Sequence, residues 1–309
     1  MNVSNPQQSD TATVGLVGLG LLGSAIAEML ASREFQVVGF DIDPDKMSDL
    51  RNLGGWSADS PAHVAHAADR IVLSLPDSEA VLDVVEGSDG ICTSDRLPQY
   101  IIDTTTGDPD TAVALADRLG TRGVAFVDAT VSGSSNQMRR RNVALMVGGR
   151  QDDLAACRDI LDALSGNVFH FGPPGAGSRA KLASNLILGL NRTVLAEGLV
   201  FAEKLGLDLE MFLRMLRVSP AYSMAMDAKG DKMLSGDFSP QSRIRQHLKD
   251  ISLMLKYARQ AGQELPLSTV HLDLLEQAIR AGDADLDNAA VIREIRRRRR
   301  DPEAPKHYQ

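Results

Sequence analysis

The stretch GLGLLG, residues 18–23, constrains this chain more than any other. It directly follows a short apolar run, residues 14–17, and is followed by a helical pattern over residues 24–32. A second apolar run, residues 36–40, then ends at Asp41. Strand, glycines, helix, strand and acid in that order suit a dinucleotide. Gly18 makes the tight turn, Gly20 lets backbone approach a pyrophosphate, and Gly23 lets helix pack on strand. The phosphates then sit at the helix start beside Leu21 and Leu22. A lone GxGxxG can be a packing turn, but here the surrounding order is complete. Asp41 suits the adenosine ribose hydroxyls and repels a 2′-phosphate. No Arg follows it directly, since FDIDPDK offers Asp43 and Asp45 before Lys46. The expected cofactor is NAD, with NADP less favoured; Asp43 and Asp45 themselves suit turn and helix-start chemistry.

Further apolar runs at residues 71–75, 100–102, 124–127 and 145–147 bring the expected strands to six. Helix-like segments lie between them, including residues 78–85 and 109–119. This alternation implies a parallel sheet covered on both faces. The pattern changes after GPPGAG, residues 172–177. A long helix is expected over residues 178–205, apolar nearly all round and therefore buried where two domains meet. Helices alone follow, at residues 209–217, 243–260 and 270–280. The expected fold is α/β: a doubly wound N-terminal domain over residues 13–173, and an all-α C-terminal domain over 174–296 that begins with the long interdomain helix. Residues 1–12 form a polar disordered tail and 297–309 a basic tail, the Arg-rich end matching a solvated helix C-terminus.

Composition narrows the partners. Of 309 residues, 33 are basic and 41 acidic, giving a net charge of -8, which opposes general nucleic-acid binding. Cys92 and Cys157 stand far apart without CxxC spacing, so neither a disulfide framework nor a zinc site is indicated, and a cytoplasmic setting is expected. The apolar run 14–27 lacks a basic lead-in and falls short of a membrane span, so no membrane association is expected. His63 and His66 lack a third ligand, and no metal is assigned.

Four stretches, GLGLLG, DATVSG with NVALMVGG, GAGSRAKLASN and HLKD, occur in an order and spacing that resemble the β-hydroxyacid dehydrogenases over about residues 14–296. The resemblance implies a Rossmann domain, a long interdomain helix, a helical C-terminal domain, and homodimers or homotetramers. It implies a small carboxylate substrate whose hydroxyl or aldehyde carbon exchanges a hydride with the nicotinamide. LPD resembles the family's loop beside the cofactor, which implicates Leu75 and Pro76. DTTTGDP resembles its D-x-S-T-x-x-P segment and puts Thr106 near the nicotinamide ribose, while also suiting a helix cap ahead of Pro109. Lys249 in HLKD matches a lysine that reaches the cofactor.

Lys181 and Asn185 are four apart and share one helix face. The helix around them is apolar, so their polar groups need a buried use. A desolvated lysine can exchange the hydroxyl proton near neutral pH while an amide holds the hydroxyl. Taken by itself, Lys181 could equally decorate a first turn; the resemblance makes the two residues the catalytic pair, with Ser184 where the family often has another Asn. Ser132, Gly133 and Ser134 follow a strand, and small-residue turns of this kind bind anions; the resemblance assigns them the substrate carboxylate. The chain departs from VSGG-x-x-GA-x-x-G here, with Ser134, Gln137, Met138 and Arg141 at the family's later positions. Ser242 stands in place of a pocket Phe, and Tyr222 with Met224 occupies other pocket positions, so 3-hydroxyisobutyrate itself is an unexpected substrate. Two other readings compete. An imine reductase of related architecture generally lacks the lysine, and a non-catalytic NAD-binding module would recruit nucleic acid through Arg139–Arg141 and residues 296–300.

Overall fold

The computed structural model describes residues 12–298; the two tails expected from the sequence, apart from their innermost residues, lie outside these. The chain divides into two compact units, the first ending at Lys181 and the second beginning at Leu182.

The first unit is built on eight strands: β1 (Thr13–Val17), β2 (Gln36–Phe40), β3 (Trp56–Ser57), β4 (Arg70–Leu73), β5 (Tyr100–Asp103), β6 (Ala125–Ser132), β7 (Ala144–Gly148) and β8 (Asn167–Gly172). They form one sheet in the order β3-β2-β1-β4-β5-β6-β7-β8. The pairs through β6 are parallel and β6 meets β7 antiparallel. The six expected strands are present, and β8 holds His170, which the sequence reads as ending a strand. β3 was not expected, because its two residues are too few to mark a strand.

Side-chain alternation feeds two cores, one on each face of the sheet. Val14 and Leu16 join Val72, Ile102, Val127 and Ala129 under the first helix, Leu21–Ala31. Val17 joins Ile71, Leu73, Ile101 and Phe126 on the opposite face. Burying each such Leu, Ile or Val contributes about 1.5–3 kcal/mol, which explains why central strands read as continuous apolar runs.

The long helix, Ala176–Lys204, has 29 residues and runs roughly 43 Å. Its start is fixed by Asp128 at the middle of β6. The Asp128 carboxylate, 1% exposed, accepts the backbone N–H of Gly175 and of Ser178, both at 2.7 Å. Negative charge at a helix N-terminus is favourable, and both donors would otherwise be buried without partners. Thr130 adds a hydroxyl donated to the Gly177 carbonyl at 3.1 Å.

In the second unit, the core gathers Leu182, Leu195, Ala196 and Leu199 of the long helix with Leu213, Met233, Ile251, Leu275 and Ile292. The helices Ile244–Gln260 and Pro266–Arg280 pack against each other. The expectation that the long helix is buried all round is corrected: Ile187, Leu188, Val194 and Phe201 are 45–66% exposed. These residues point away from the stripe that meets the core, and no element among the described residues covers them. By length and hydropathy this helix resembles a membrane span, yet it carries Lys181, Arg192 and Glu197 and supplies core residues. It is a core helix.

Removing the Asp128 carboxylate strands two buried N–H groups. Asp128→Ala is expected to lower stability by about 3 kcal/mol in urea unfolding; a loss under about 1 kcal/mol would contradict the anchoring role.

Candidate active site

The strand order reverses between β1 and β4, and ligands of such sheets bind in the crevice at the strands' carboxyl ends there. Gly18 has φ +91°, and a Cβ on it would lie 2.2 Å from the Ser74 carbonyl oxygen. A Cβ on Gly23 would lie 2.0 Å from the Gly18 oxygen. At Gly20 a Cβ would meet nothing within 4 Å. The outer two glycines therefore permit the turn itself, whereas Gly20 borders open space at the start of the helix.

Asp41 closes β2 and turns back over this loop. Its two oxygens accept the N–H of Leu19 at 2.6 Å and of Asp43 at 2.9 Å. Each oxygen keeps a lone pair for a further donor. Lys46, the cation closest in sequence, is held by Asp49 at 3.5 Å. Leu21 and Ile42, 77% and 90% exposed, present apolar surface around the same loop. Glycines, helix start and acid together fit a nicotinamide dinucleotide.

The loops after β4 and β5 are tied together. Thr104 donates its hydroxyl to the Leu73 carbonyl at 2.7 Å, and Leu75 N–H donates to the Thr105 hydroxyl at 3.1 Å. Leu75 and Thr106 are half-buried and Pro76 is exposed at this strand-end edge. Asp103 accepts Thr105 N–H at 2.9 Å. Burial pushes its carboxyl up to about 7 against the lowering effect of Thr105, and Asp128, its register partner on β6, pushes the same way.

Ser132 ends β6 at the same edge, with Gly133 and Ser134 exposed beyond it. Ser134 caps a short helix, Ser135–Arg139, through a reciprocal pair with Gln137: its N–H donates to the Gln137 amide oxygen at 2.8 Å, and its hydroxyl accepts Gln137 N–H at 3.3 Å. The Ser134 N–H is thus engaged within the chain. The three arginines that follow have separate fates. Arg139 forms a two-pronged pair with Glu28 at 2.7 and 2.8 Å, which holds the Glu28 carboxyl below its usual range. Arg141 donates to the Asp162 carbonyl, and Arg140 is exposed. At the C-terminal end, Arg296 pairs with Glu203, Arg297 with Asp283, and Arg298 with Asp273; Arg299 and Arg300 lie outside the described residues.

Lys181 and Asn185 occupy successive turns of the long helix and are 8% and 9% exposed. Within the second unit, the Asn185 amide donates to Asp250 at 3.2 Å. That bond orients the amide and leaves its oxygen and one N–H for another partner. Lys249, beside Asp250 on the Ile244–Gln260 helix, is exposed. His247 is buried under Gly189, and His170 lies in β8, its ring against the Gly149 and Gly172 carbonyls. Burial lifts the Cys157 thiol to about 12, which removes it as a nucleophile at ordinary pH. Among the described residues, no three His, Cys, Asp or Glu side chains are gathered as a metal site requires.

Two residues escaped the sequence reading. Asp128 opens DATVSG and Asp250 closes HLKD, both inside stretches already singled out. Their partners are backbone N–H groups 47 and 50 positions away and an amide 65 positions away, separations to which local patterns are blind.

Comparison with known proteins now bears on this geometry. Residues 13–172 match the profile of the NAD binding domain of 6-phosphogluconate dehydrogenase. Residues 175–295 match the NAD-binding profile of NADP-dependent 3-hydroxyisobutyrate dehydrogenase. The mitochondrial 3-hydroxyisobutyrate dehydrogenase of Mus musculus is 32% identical over 225 residues, 73% of this chain and 67% of that protein. The chain belongs to the β-hydroxyacid dehydrogenase family. The 2-(hydroxymethyl)glutarate dehydrogenase of Eubacterium barkeri is 29% identical over 91% of this chain and 93% of its own length. A crystal structure of a 3-hydroxyisobutyrate dehydrogenase from Salmonella typhimurium has a TM-score of 0.85 at 25% identity, covering 91% and 99% of the two chains. This β-hydroxyacid dehydrogenase is a nicotinamide-dependent oxidoreductase acting on a hydroxyl group of a small acid.

The glycines separate folding from binding. Gly23→Ala is expected to destabilise the first unit, because its Cβ meets backbone. Gly20→Ala is expected to melt within about 2 °C of wild type but to bind NADH at least about tenfold more weakly. Unaltered NADH fluorescence titration in Gly20→Ala would place the cofactor elsewhere.

Proposed function

We propose that this β-hydroxyacid dehydrogenase moves a hydride between NAD and the β-hydroxyl or aldehyde carbon of a small carboxylic acid, with Lys181 as general acid and base. The observation that carries the reading is the Lys181–Asn185 pair, one turn apart on a helix whose start is anchored by Asp128. The nicotinamide, when bound, accepts or supplies the hydride. Lys181 takes the hydroxyl proton during oxidation and returns it during reduction. Asn185, oriented by Asp250, holds the substrate oxygen, and the two keep it in register for transfer. Ser132 and Gly133 receive the substrate carboxylate, while Ser134 shapes the turn through Gln137. Leu75, Pro76 and Thr106 border the nicotinamide end of the cofactor, and Lys249 reaches toward it.

Asp41 supports NAD over NADP. Its carboxylate would meet a 2′-phosphate with like charge, and Lys46 is already held by Asp49. The retained Lys181 favours hydroxyl chemistry over the imine reductase alternative. The nucleic-acid alternative loses support because Arg139 and Arg296–Arg298 pair with acids of the same chain. A homo-oligomer, dimer or tetramer, suits the exposed Ile187, Val194 and Phe201, and the free thiols suit a cytoplasmic setting.

The test is NADH formation at 340 nm across a panel of β-hydroxy acids. Lys181→Met is expected to lower kcat by about 10²–10⁴-fold while NADH binds within about threefold of wild type. Turnover at the wild-type rate would remove Lys181 from the chemistry. NAD is expected to outperform NADP in kcat/KM by at least about tenfold, and Asp41→Ala to shrink that preference; an NADP preference in the wild type would overturn the cofactor reading.

A further inference from the structure

The turn after β6 is already occupied by the chain itself. Gly133 has φ +150°, and the Ser134 N–H beyond it donates to the Gln137 side-chain oxygen at 2.8 Å. That oxygen lies 3.5 Å from where a Cβ on Gly133 would stand, so the carboxamide sits over the turn. A backbone N–H can only donate, which fixes oxygen as the atom facing it and turns the amide NH2 the other way. The Ser134 hydroxyl accepts Gln137 N–H at 3.3 Å and closes the reciprocal pair. Among the described residues, no acceptor takes a hydrogen of the Gln137 NH2. The residue is half-buried, and this nitrogen is not one of the buried polar atoms, so both donors are open to a ligand.

The short helix Ser135–Arg139 that carries Gln137 is fixed on several sides. Met138 is fully buried in the core beneath the helix Leu21–Ala31. Arg139 grips Glu28 of that helix with both prongs. Arg141, left-handed at φ +55°, donates to the Asp162 carbonyl of the helix Arg158–Leu164. The Gln137 carbonyl accepts the N–H of Arg140 at 3.1 Å and of Asn142 at 2.8 Å. Arg139 and Arg141 thus hold the element that presents Gln137. With main chain and side-chain oxygen both engaged, the NH2 is offered without further ordering of the residue.

Small-residue turns bind anions through successive N–H groups. Here the Ser134 N–H is engaged, and an oxygen of the chain stands where an anion's oxygen would sit. A ligand carboxylate at this turn must find its donor one group further out, at the Gln137 NH2. A charged acceptor there gains a strengthened hydrogen bond, whereas a group that cannot accept strips water from two donors.

We propose that Gln137 contacts the substrate and sets its specificity, its NH2 donating to the substrate carboxylate in place of the Ser134 N–H. The ligand class is a carboxylate, and the uncharged amide of the same acid is discriminated against. This rests on the dehydrogenase reading above, in which Ser132 and Gly133 receive the carboxylate, and the experiment separates the two.

Gln137→Glu is the discriminating variant. It keeps an oxygen for the Ser134 N–H, and Glu serves this cap as well as Gln, but it puts a charged acceptor where the NH2 stood. Butyrate and butyramide serve as non-reacting probes, titrated calorimetrically into the NAD-bound wild type and variant. The wild type is expected to bind butyrate at least about tenfold more tightly than butyramide. The variant, melting within about 2 °C of wild type, is expected to lose that preference. In turnover with the best β-hydroxy acid of the panel, Gln137→Glu raises KM at least about tenfold while kcat changes less than about threefold. Equal affinity for the two probes in the wild type overturns the proposal. So does a preference that survives Gln137→Glu, because Gln137 is then a helix cap alone. Should that variant fail to fold, Gln137→Met is expected to lose the preference, and its retention there overturns the proposal equally. If no acid turns over while a Gln137-dependent butyrate preference persists, the dehydrogenase reading falls and the carboxylate contact stands.

Discussion

The hydrogen bonds from Gly175 and Ser178 to the buried Asp128 carboxylate are the constraint on which the site depends. β6 pairs parallel with β5 and antiparallel with β7, and its Val127 and Phe126 enter the two cores, which sets the position of Asp128. The carboxylate satisfies two helix-start donors that have no partner within the helix, and its charge opposes the positive end of the dipole. Lys181 follows Ser178 by three residues, within the first two turns. The strand, the cap and the first turns of the helix are therefore one mechanical unit, and it carries Lys181, the proposed proton-transfer group. Placing a general base on a rigid element rather than a loop preserves the geometry that hydride transfer needs.

The same economy appears at the cofactor edge. Asp41 both accepts Leu19 N–H, which shapes the glycine loop, and keeps lone pairs for a ligand. The threonine run after β5 both caps its turn and ties the neighbouring loop through Thr105. Asp41 and Thr105 thus have structural bonds in place before any ligand arrives. Binding then costs little reorganisation, as preorganised sites require.

Much of this was legible in the sequence because the signals are local. GLGLLG, its flanking apolar runs and Asp41 lie within thirty positions of one another, and helical periodicity puts Lys181 and Asn185 on one face, while their role came from the family resemblance. Strand-like runs end near residue 172 in the sequence, whereas the first compact unit ends at Lys181. What stayed hidden depends on contacts distant in sequence or on burial. The apolar residues of the long helix gave no sign of which face is covered, and the partners of Asp128 and Asp250 lie far along the chain. The run Arg139–Arg141 is the instructive case: the competing nucleic-acid reading rested on its basic character, but Arg139 is spent on Glu28 and Arg141 on a carbonyl.

In the proposed reaction, hydride leaves the hydroxyl-bearing carbon of a small carboxylic acid for the nicotinamide. The most direct measurement follows label from substrate to cofactor. A β-hydroxy acid deuterated at that carbon is incubated with enzyme and NAD, and the reduced cofactor is analysed by mass spectrometry. One deuterium per reduced nicotinamide, with a slowed single turnover, is the predicted result. Reduced cofactor without deuterium, or no reduction across the panel of acids, would contradict it.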